Sequence, residues 1–113
     1  MIPTYDKAAD VFATGPINRF KAENAKGEHL TYLFKIKDAG DWLVAVDDGT
    51  CSVTANPPED TKANVVISMT EADMLDVANG REGLQLLFMT GRLQVEGDLS
   101  SALKIVRFFP RPV

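Results

Sequence analysis

The residues that could do chemistry in this chain are few. His29 is the only histidine and Cys51 the only cysteine. A histidine serves as a catalytic base when a carboxylate orients it and a nucleophile lies within reach, and the sequence nominates neither partner for His29. Zinc sites usually need about three or four nitrogen or sulfur ligands, so this pair predicts no metal site. We therefore expect no catalytic residue, no metal and no cofactor, and a function that is not enzymatic.

The acidic and glycine-containing motifs have structural explanations. Asp47 and Asp48 stand before Gly49, and an Asp-Gly pair between alternating apolar residues is typical of a two-residue hairpin turn. Gly97-Asp98 is the nearest approach to a phosphate-binding loop, but a single glycine before a capped helix lacks the spacing of such loops. Cys51 lies in a strand pattern, which favours a small packed apolar side chain.

Composition narrows the class of partner. The 113 residues are 45% hydrophobic and 25% charged, which predicts one globular domain over residues 1–113. Twelve basic against sixteen acidic residues give a net charge of −4. Nucleic-acid binding needs a concentrated basic surface, so we expect no nucleic-acid partner. One cysteine and an N-terminus without a secretory pattern lead us to expect a cytoplasmic protein.

The positions of the chemical residues follow from the elements around them. Two short helices are predicted first, at residues 4–12 and 16–25, separated by Gly15-Pro16. Alternating apolar residues then predict three strands joined by tight turns, at residues 30–37, 42–46 and 51–55. Residues 63–69 predict a fourth strand and residues 93–95 a short fifth.

The second half adds three helices to these strands. Thr70 to Asp73 resembles a capping box that opens a helix ending at Gly80, and another helix is predicted at residues 82–89. Asp98 is the expected cap of the last helix, which Pro110 ends. The order predicts an α+β fold, a five-stranded mainly antiparallel sheet covered by helices.

The last two helices carry more apolar surface than one sheet can cover. Leu99, Ala102, Leu103, Val106 and Phe109 share one stripe, which Ile105 widens, whereas Phe108 falls nearly opposite Leu99. In the preceding helix Leu84, Leu87 and Phe88 share a face, from which Leu86 and Met89 point away. A helix on a sheet needs an apolar stripe of about 100°. The surplus is explained by helix-on-helix packing, by a ligand cavity or by a subunit interface.

Two blocks of the second half resemble the sterol carrier protein 2 (SCP2) family of lipid-binding domains. The first is Ala63–Leu75 followed by Gly80, which is similar to the family's strand, capped helix and glycine. The second is Phe88–Asp98 followed by Ala102–Lys104, which is similar to its Phe-x-x-Gly-Lys-Leu strand, Gly-Asp turn and Ala-x-Lys helix. The resemblance implies a five-stranded sheet covered by helices, with an apolar tunnel between them for sterols, acyl chains, isoprenoids or similar lipids.

The link Arg81–Gln85 lacks the proline that family members often have, and no peroxisomal address ends the chain. We therefore expect a bacterial, stand-alone relative that holds or transfers a small apolar ligand. Assigned by the face on which they lie, the residues expected to line the cavity are Phe34, Trp42, Val44, Met74, Leu87, Phe88, Leu103, Val106 and Phe109.

A homodimerisation or assembly module with a collapsed cavity, accessory to a lipid or quinone pathway, is the alternative function. Phe108 and Leu86 are then the expected interface residues. Transient membrane contact is a variant of the carrier hypothesis, because Arg107–Arg111 interleaves basic and aromatic residues as interfacial segments do.

Overall fold

The structure, a computed structural model, describes residues 5–108, and for residues 14–19 it describes the backbone alone. The helices are α1 (Ala8–Arg19), α2 (Glu71–Ala78), α3 (Leu84–Met89) and α4 (Leu99–Phe108), with a short 3₁₀ turn at Ala22–Asn24. The strands are β1 (His29–Lys37), β2 (Gly40–Asp47), β3 (Thr50–Ala55), β4 (Val65–Thr70) and β5 (Gln94–Gly97). Among the described residues, no helix combines the length and apolarity needed to cross a membrane.

The five strands form one sheet in the order β3-β2-β1-β4-β5. The pairs β1–β2, β2–β3 and β4–β5 are antiparallel, whereas β4 returns to lie parallel to β1. Asp48 and Gly49 both have positive φ, at 46° and 86°, as the Asp-Gly hairpin between β2 and β3 requires. The predicted α+β class and the mainly antiparallel five-stranded sheet are therefore confirmed.

The helices cover one face of this sheet, which we call the inner face. Alternate residues of the central strands point to it, so Tyr32, Phe34 and Ile36 are buried while Lys35 and Lys37 are exposed. The buried apolar side chains of all four helices join those of the inner face in one cluster. The core therefore lies between the inner face and the helix layer.

The prediction of two helices before β1 is wrong. One continuous helix, α1, runs through Gly15-Pro16, and only a 3₁₀ turn follows it. Proline removes one helical hydrogen bond, which usually ends or kinks a helix. Here the buried side chains of Ala8, Val11 and Phe12 anchor the helix on the core, and that packing outweighs the local preference. The predicted cap Thr4 lies outside the described residues.

Two predicted helix caps are present. The Thr70 hydroxyl accepts a hydrogen bond from the Asp73 N–H over 3.2 Å at the start of α2. At the start of α4, Asp98 accepts hydrogen bonds from the Ser100 N–H and from the Ser101 hydroxyl. These bonds hold the pKa of Asp98 below its usual 3.8.

Candidate functional site

Five of the residues predicted to line a cavity come together on the inner face. Phe34, Trp42 and Val44 lie on β1 and β2, Met74 on α2 and Leu87 on α3, and all five are buried in the same cluster. Phe34 and Trp42 are register partners across the antiparallel pair, so their side chains stand side by side. Two strands and two helices thus build one apolar wall.

A sixth residue completes this wall, and sequence reasoning did not assign it to the site. Phe12 on α1 stacks on Trp42, with ring centroids 4.7 Å apart and planes 10° apart. It also contacts Phe34, at 5.2 Å and 55°. The sequence signal was an aromatic residue on the inward side of the first helix, but the pairing of β1 with β2 decides which rings it meets.

A buried tyrosine hydroxyl on the inner face has a well-defined partner. The Tyr32 hydroxyl donates a hydrogen bond to the Ser101 carbonyl oxygen over 2.7 Å. Burial raises the pKa of Tyr32, and the charges of Glu28 and Asp98 raise it further. The phenol therefore remains a protonated donor at neutral pH, and its partner on α4 is satisfied.

The predicted orientation of α4 is only partly correct, since Ala102 and Ile105 are buried as expected but three other positions differ. Leu103 was expected to face the cavity but is 52% exposed, and Val106 is only half-buried. Phe108, expected at an interface, is 1% exposed and lies in the core. The buried face consists of Ser101, Ala102, Ile105 and Phe108.

Long-range bonds fix this rotation. Tyr32 holds the Ser101 carbonyl, Lys104 forms an ion pair with Glu28 at 2.9 Å, and the Phe108 carbonyl accepts from the Lys21 N–H at 2.8 Å. A helical wheel of α4 alone does not contain these contacts. Phe109, the remaining predicted site residue on this helix, lies outside the described residues.

On α3 the predicted faces are partly correct. Leu87 is fully buried, while Leu86 and Met89 point away from the core, as expected, with 49% and 83% exposure. Phe88 was expected to face inward but is 41% exposed. A six-residue helix presents few side chains to the core, and here Leu87 and Leu84 provide that contact.

A cluster of carboxylates on α2 and the loop after it has the spacing of a metal site. Asp73, Asp76 and Glu82 place oxygens within 4.8 Å of one another. The Arg92 guanidinium donates hydrogen bonds to Asp73 at 3.0 Å and to Glu82 at 2.9 Å, and lies 3.5 Å from Asp76. These bonds raise the pKa of Arg92. Arg92 lies in the segment before β5, so these charge-assisted bonds tie that segment to α2, and an arginine occupies the place beside the carboxylates.

His29 lies at a strand end outside the inner face, and Cys51 carries a thiol that is a poor nucleophile. His29 Nδ1 lies 2.6 Å from Asp47 Oδ1 where β1 pairs with β2, and both side chains are largely exposed. The sequence had not nominated this carboxylate, since only strand register brings it to His29. Burial raises the pKa of the Cys51 thiol to about 11, which leaves little thiolate at neutral pH.

An open depression of about 760 Å³ lies where β1 turns into β2 beside the end of β4. Its rim carries Lys35, Lys37 and Asp41, and Ile36 and Met69 belong to its lining. Gly40 in this turn lies under Trp42, because a Cβ there would approach the indole Cη2 to 3.3 Å. Gly40, which lines the depression, therefore lies against Trp42 of the apolar wall.

Known proteins resemble this chain in sequence. Sterol carrier protein 2 of Gallus gallus is 34% identical over 79 residues, which cover 66% of this chain and 14% of that protein. Hydroxysteroid dehydrogenase-like protein 2 of Xenopus tropicalis is 33% identical over 74 residues, covering 66% of this chain and 18% of that protein. The chain thus spans less than a fifth of either relative.

The fold also matches a solved structure. The solution structure of palmitated SCP2L2 from Aedes aegypti superposes with a TM-score of 0.64, at 19% identity, covering 81% of this chain and 88% of that one. Residues 16–110 match the SCP-2 sterol transfer family, and this range includes all five described strands and α2 to α4. The chain belongs to the SCP-2 sterol transfer family, whose domains bind lipids.

Proposed function

We propose that this domain carries a single apolar ligand, such as a sterol, an acyl chain or an isoprenoid, in a tunnel between the inner face and the helices. One observation supports this most directly. Phe34, Trp42, Val44, Met74 and Leu87 converge from four elements into one apolar wall. Burial of apolar area yields roughly 25 cal/mol per Å², so such a wall binds lipid with few polar contacts.

The depression at the β1–β2 turn supports an entrance at this end of the sheet. Gly40, one of its lining residues, lies against Trp42 of the wall, and Lys35, Lys37 and Asp41 line it from strand positions that alternate with the inner-face residues. A lipid with a polar or acidic end would keep that end hydrated there while its chain lies against the wall. The Aedes aegypti neighbour is described as palmitated, which makes palmitate a suitable first probe.

We propose a non-catalytic role for the domain. The His29–Asp47 pair is exposed at a strand end, and the raised pKa of Cys51 makes the thiol a poor nucleophile. A larger protein containing this domain would supply any chemistry from its other parts.

Native mass spectrometry of the protein purified from cells tests the carrier function. We expect a bound small molecule, and a 1:1 complex when the delipidated protein is mixed with palmitate, cholesterol or geranylgeraniol. Phe34→Leu should weaken binding because Phe34 belongs to the wall. Leu43→Ala is the matched control, since Leu43 alternates with Trp42 and Val44 and faces the opposite side of the sheet. An empty protein that takes up none of the three lipids would refute the proposal.

The exposed side chains of α3 favour a second candidate function, an interaction surface. Leu86, Phe88 and Met89 expose apolar surface on one short helix. Leu86 is exposed and can contact a second subunit, whereas Phe108 is buried in the core and cannot. A dimer in light scattering that Leu86→Asp dissociates would support this candidate, as would binding to phosphatidylcholine vesicles that Met89→Asp abolishes. A protein that is monomeric in light scattering and does not bind the vesicles would contradict an interaction surface on α3.

A further inference from the structure

Phe12 occupies a position that a ligand of this domain would need. Its ring lies flat on Trp42 and tilted against Phe34, and the side chain is 3% exposed. Phe34 and Trp42 are register partners on the inner face, so one ring covers both. An apolar ligand on these two side chains and the Phe12 ring would fill the same space.

The helix that carries Phe12 is held firmly at one end. The Ala8 N–H donates to Glu71 Oε2 over 3.0 Å, which supplies a cap that the N-cap residue Lys7 does not provide. Asn79 of the segment after α2 bonds both backbone groups of Tyr5, at 2.7 and 3.0 Å. These bonds tie the start of α1 to α2.

The same helix is weakened directly after Phe12. Pro16 lies four residues later and has no N–H, so the carbonyl of Phe12 lacks its usual helical donor. Gly15 adds backbone freedom at the same turn. α1 is therefore held by hydrogen bonds before Phe12 and lacks one helical hydrogen bond after it, so the start of the helix would stay attached if the Phe12 ring were displaced.

We propose that Phe12 is a plug: in the empty domain its ring fills the ligand position on Trp42 and Phe34, and a lipid enters by displacing it. This inference rests on the proposed carrier function. Phe12 then determines how tightly a ligand binds and how large a ligand the domain accepts, because displacing the ring reduces the net binding free energy. Replacing it with a small residue leaves that position open before the ligand arrives.

The single tryptophan makes the plug measurable, because all indole fluorescence comes from Trp42. Palmitate added to the delipidated wild type should shift the Trp42 emission and change its quenching by acrylamide. Phe12→Ala should bind palmitate with a Kd lower by about tenfold, since no ring has to be displaced. Val11→Ala is the matched control: Val11 is also buried on α1, and it should bind as the wild type does.

The outcomes separate the plug from the carrier function. If the wild type binds palmitate but Phe12→Ala has the same Kd and Trp42 does not respond, the plug is refuted and the carrier function stands. If neither protein binds any lipid of the panel, both proposals fail. If Phe12→Ala binds palmitate and the wild type does not, the result supports the plug. If Phe12→Ala does not fold, the palmitate Kd of Phe12→Leu and the Trp42 fluorescence response of the wild type test the plug by the same criteria.

Discussion

Tyr32 on β1 and Ser101 on α4 are joined by a buried hydrogen bond, in which the phenol donates to the backbone carbonyl over 2.7 Å. The bond crosses the core and links a central strand to the helix whose rotation the sequence leaves open. A buried polar group without its partner costs more than the bond itself is worth. The geometry therefore favours the one orientation of α4 that satisfies the phenol.

Tyr32→Phe should lower the free energy of unfolding by about 1 kcal/mol, because it removes the donor and leaves the apolar ring in place. Urea titration measures the change. Thr50→Val is the control, since it removes a hydroxyl-to-carbonyl bond of similar geometry at an exposed turn, between Thr50 and Asp47. Equal stability of Tyr32→Phe and the wild type would show that the bond does not select the rotation of α4.

The orientation of α4 can be tested with two apolar residues of the same helix. Ile105 is buried, so Ile105→Ala should cost about 2–5 kcal/mol. Leu103 is half exposed, so Leu103→Ala should change stability by no more than about 0.5 kcal/mol. The reverse order in thermal or urea unfolding would support the helical-wheel orientation instead.

Gly97 should tolerate no side chain. Its φ is +103°, and an added Cβ would overlap the carbonyl oxygen of Asn64, which is backbone and cannot move aside. We expect Gly97→Ala to destabilise the protein by about 3 kcal/mol or more. Gly27→Ala is the control, with φ +77° and open space around the Cβ, and should cost only about 1 kcal/mol. Similar losses in both would mean that the close approach at Gly97 is unimportant.

Cys51 should make stability depend on alkaline pH. Its folded pKa of about 11 lies above the ordinary 9.0, so the folded protein retains the proton more strongly than the unfolded chain. The resulting stability is complete below pH 9 and is lost as pH rises towards 11. Cys51→Ser should flatten the decline in that window, and Tyr32 accounts for what remains at higher pH. An unchanged pH profile would contradict the raised pKa of the half-buried Cys51 thiol.

Much of the architecture was predictable because it rests on local rules. The hairpin at Asp48-Gly49 follows from positive φ angles that few residue pairs adopt. The caps at Thr70 and Asp98 follow from side chains that satisfy N–H groups at helix starts. The period of two in β1 and β2 placed Phe34, Trp42 and Val44 on one face correctly.

The errors share a physical cause. The Gly15-Pro16 pair was read as a helix break, but burial of Phe12 and its neighbours kept α1 continuous. The helical wheel of α4 predicts Leu103 inside and Phe108 outside, but contacts with Tyr32, Glu28 and Lys21 turn Phe108 into the core and leave Leu103 exposed. In both places contacts between distant parts of the chain outweighed local preference.

The amino-acid sequence thus determined the order of the elements, the turns and caps, the inner face of the sheet and the family resemblance, since each depends on residues close together in the chain. Only the tertiary structure decided that His29 meets Asp47, that Arg92 forms ion pairs with three carboxylates, and that Phe12 lies on Trp42. Those pairings depend on strand register and helix rotation. Both are set by packing the whole core, which no local pattern encodes.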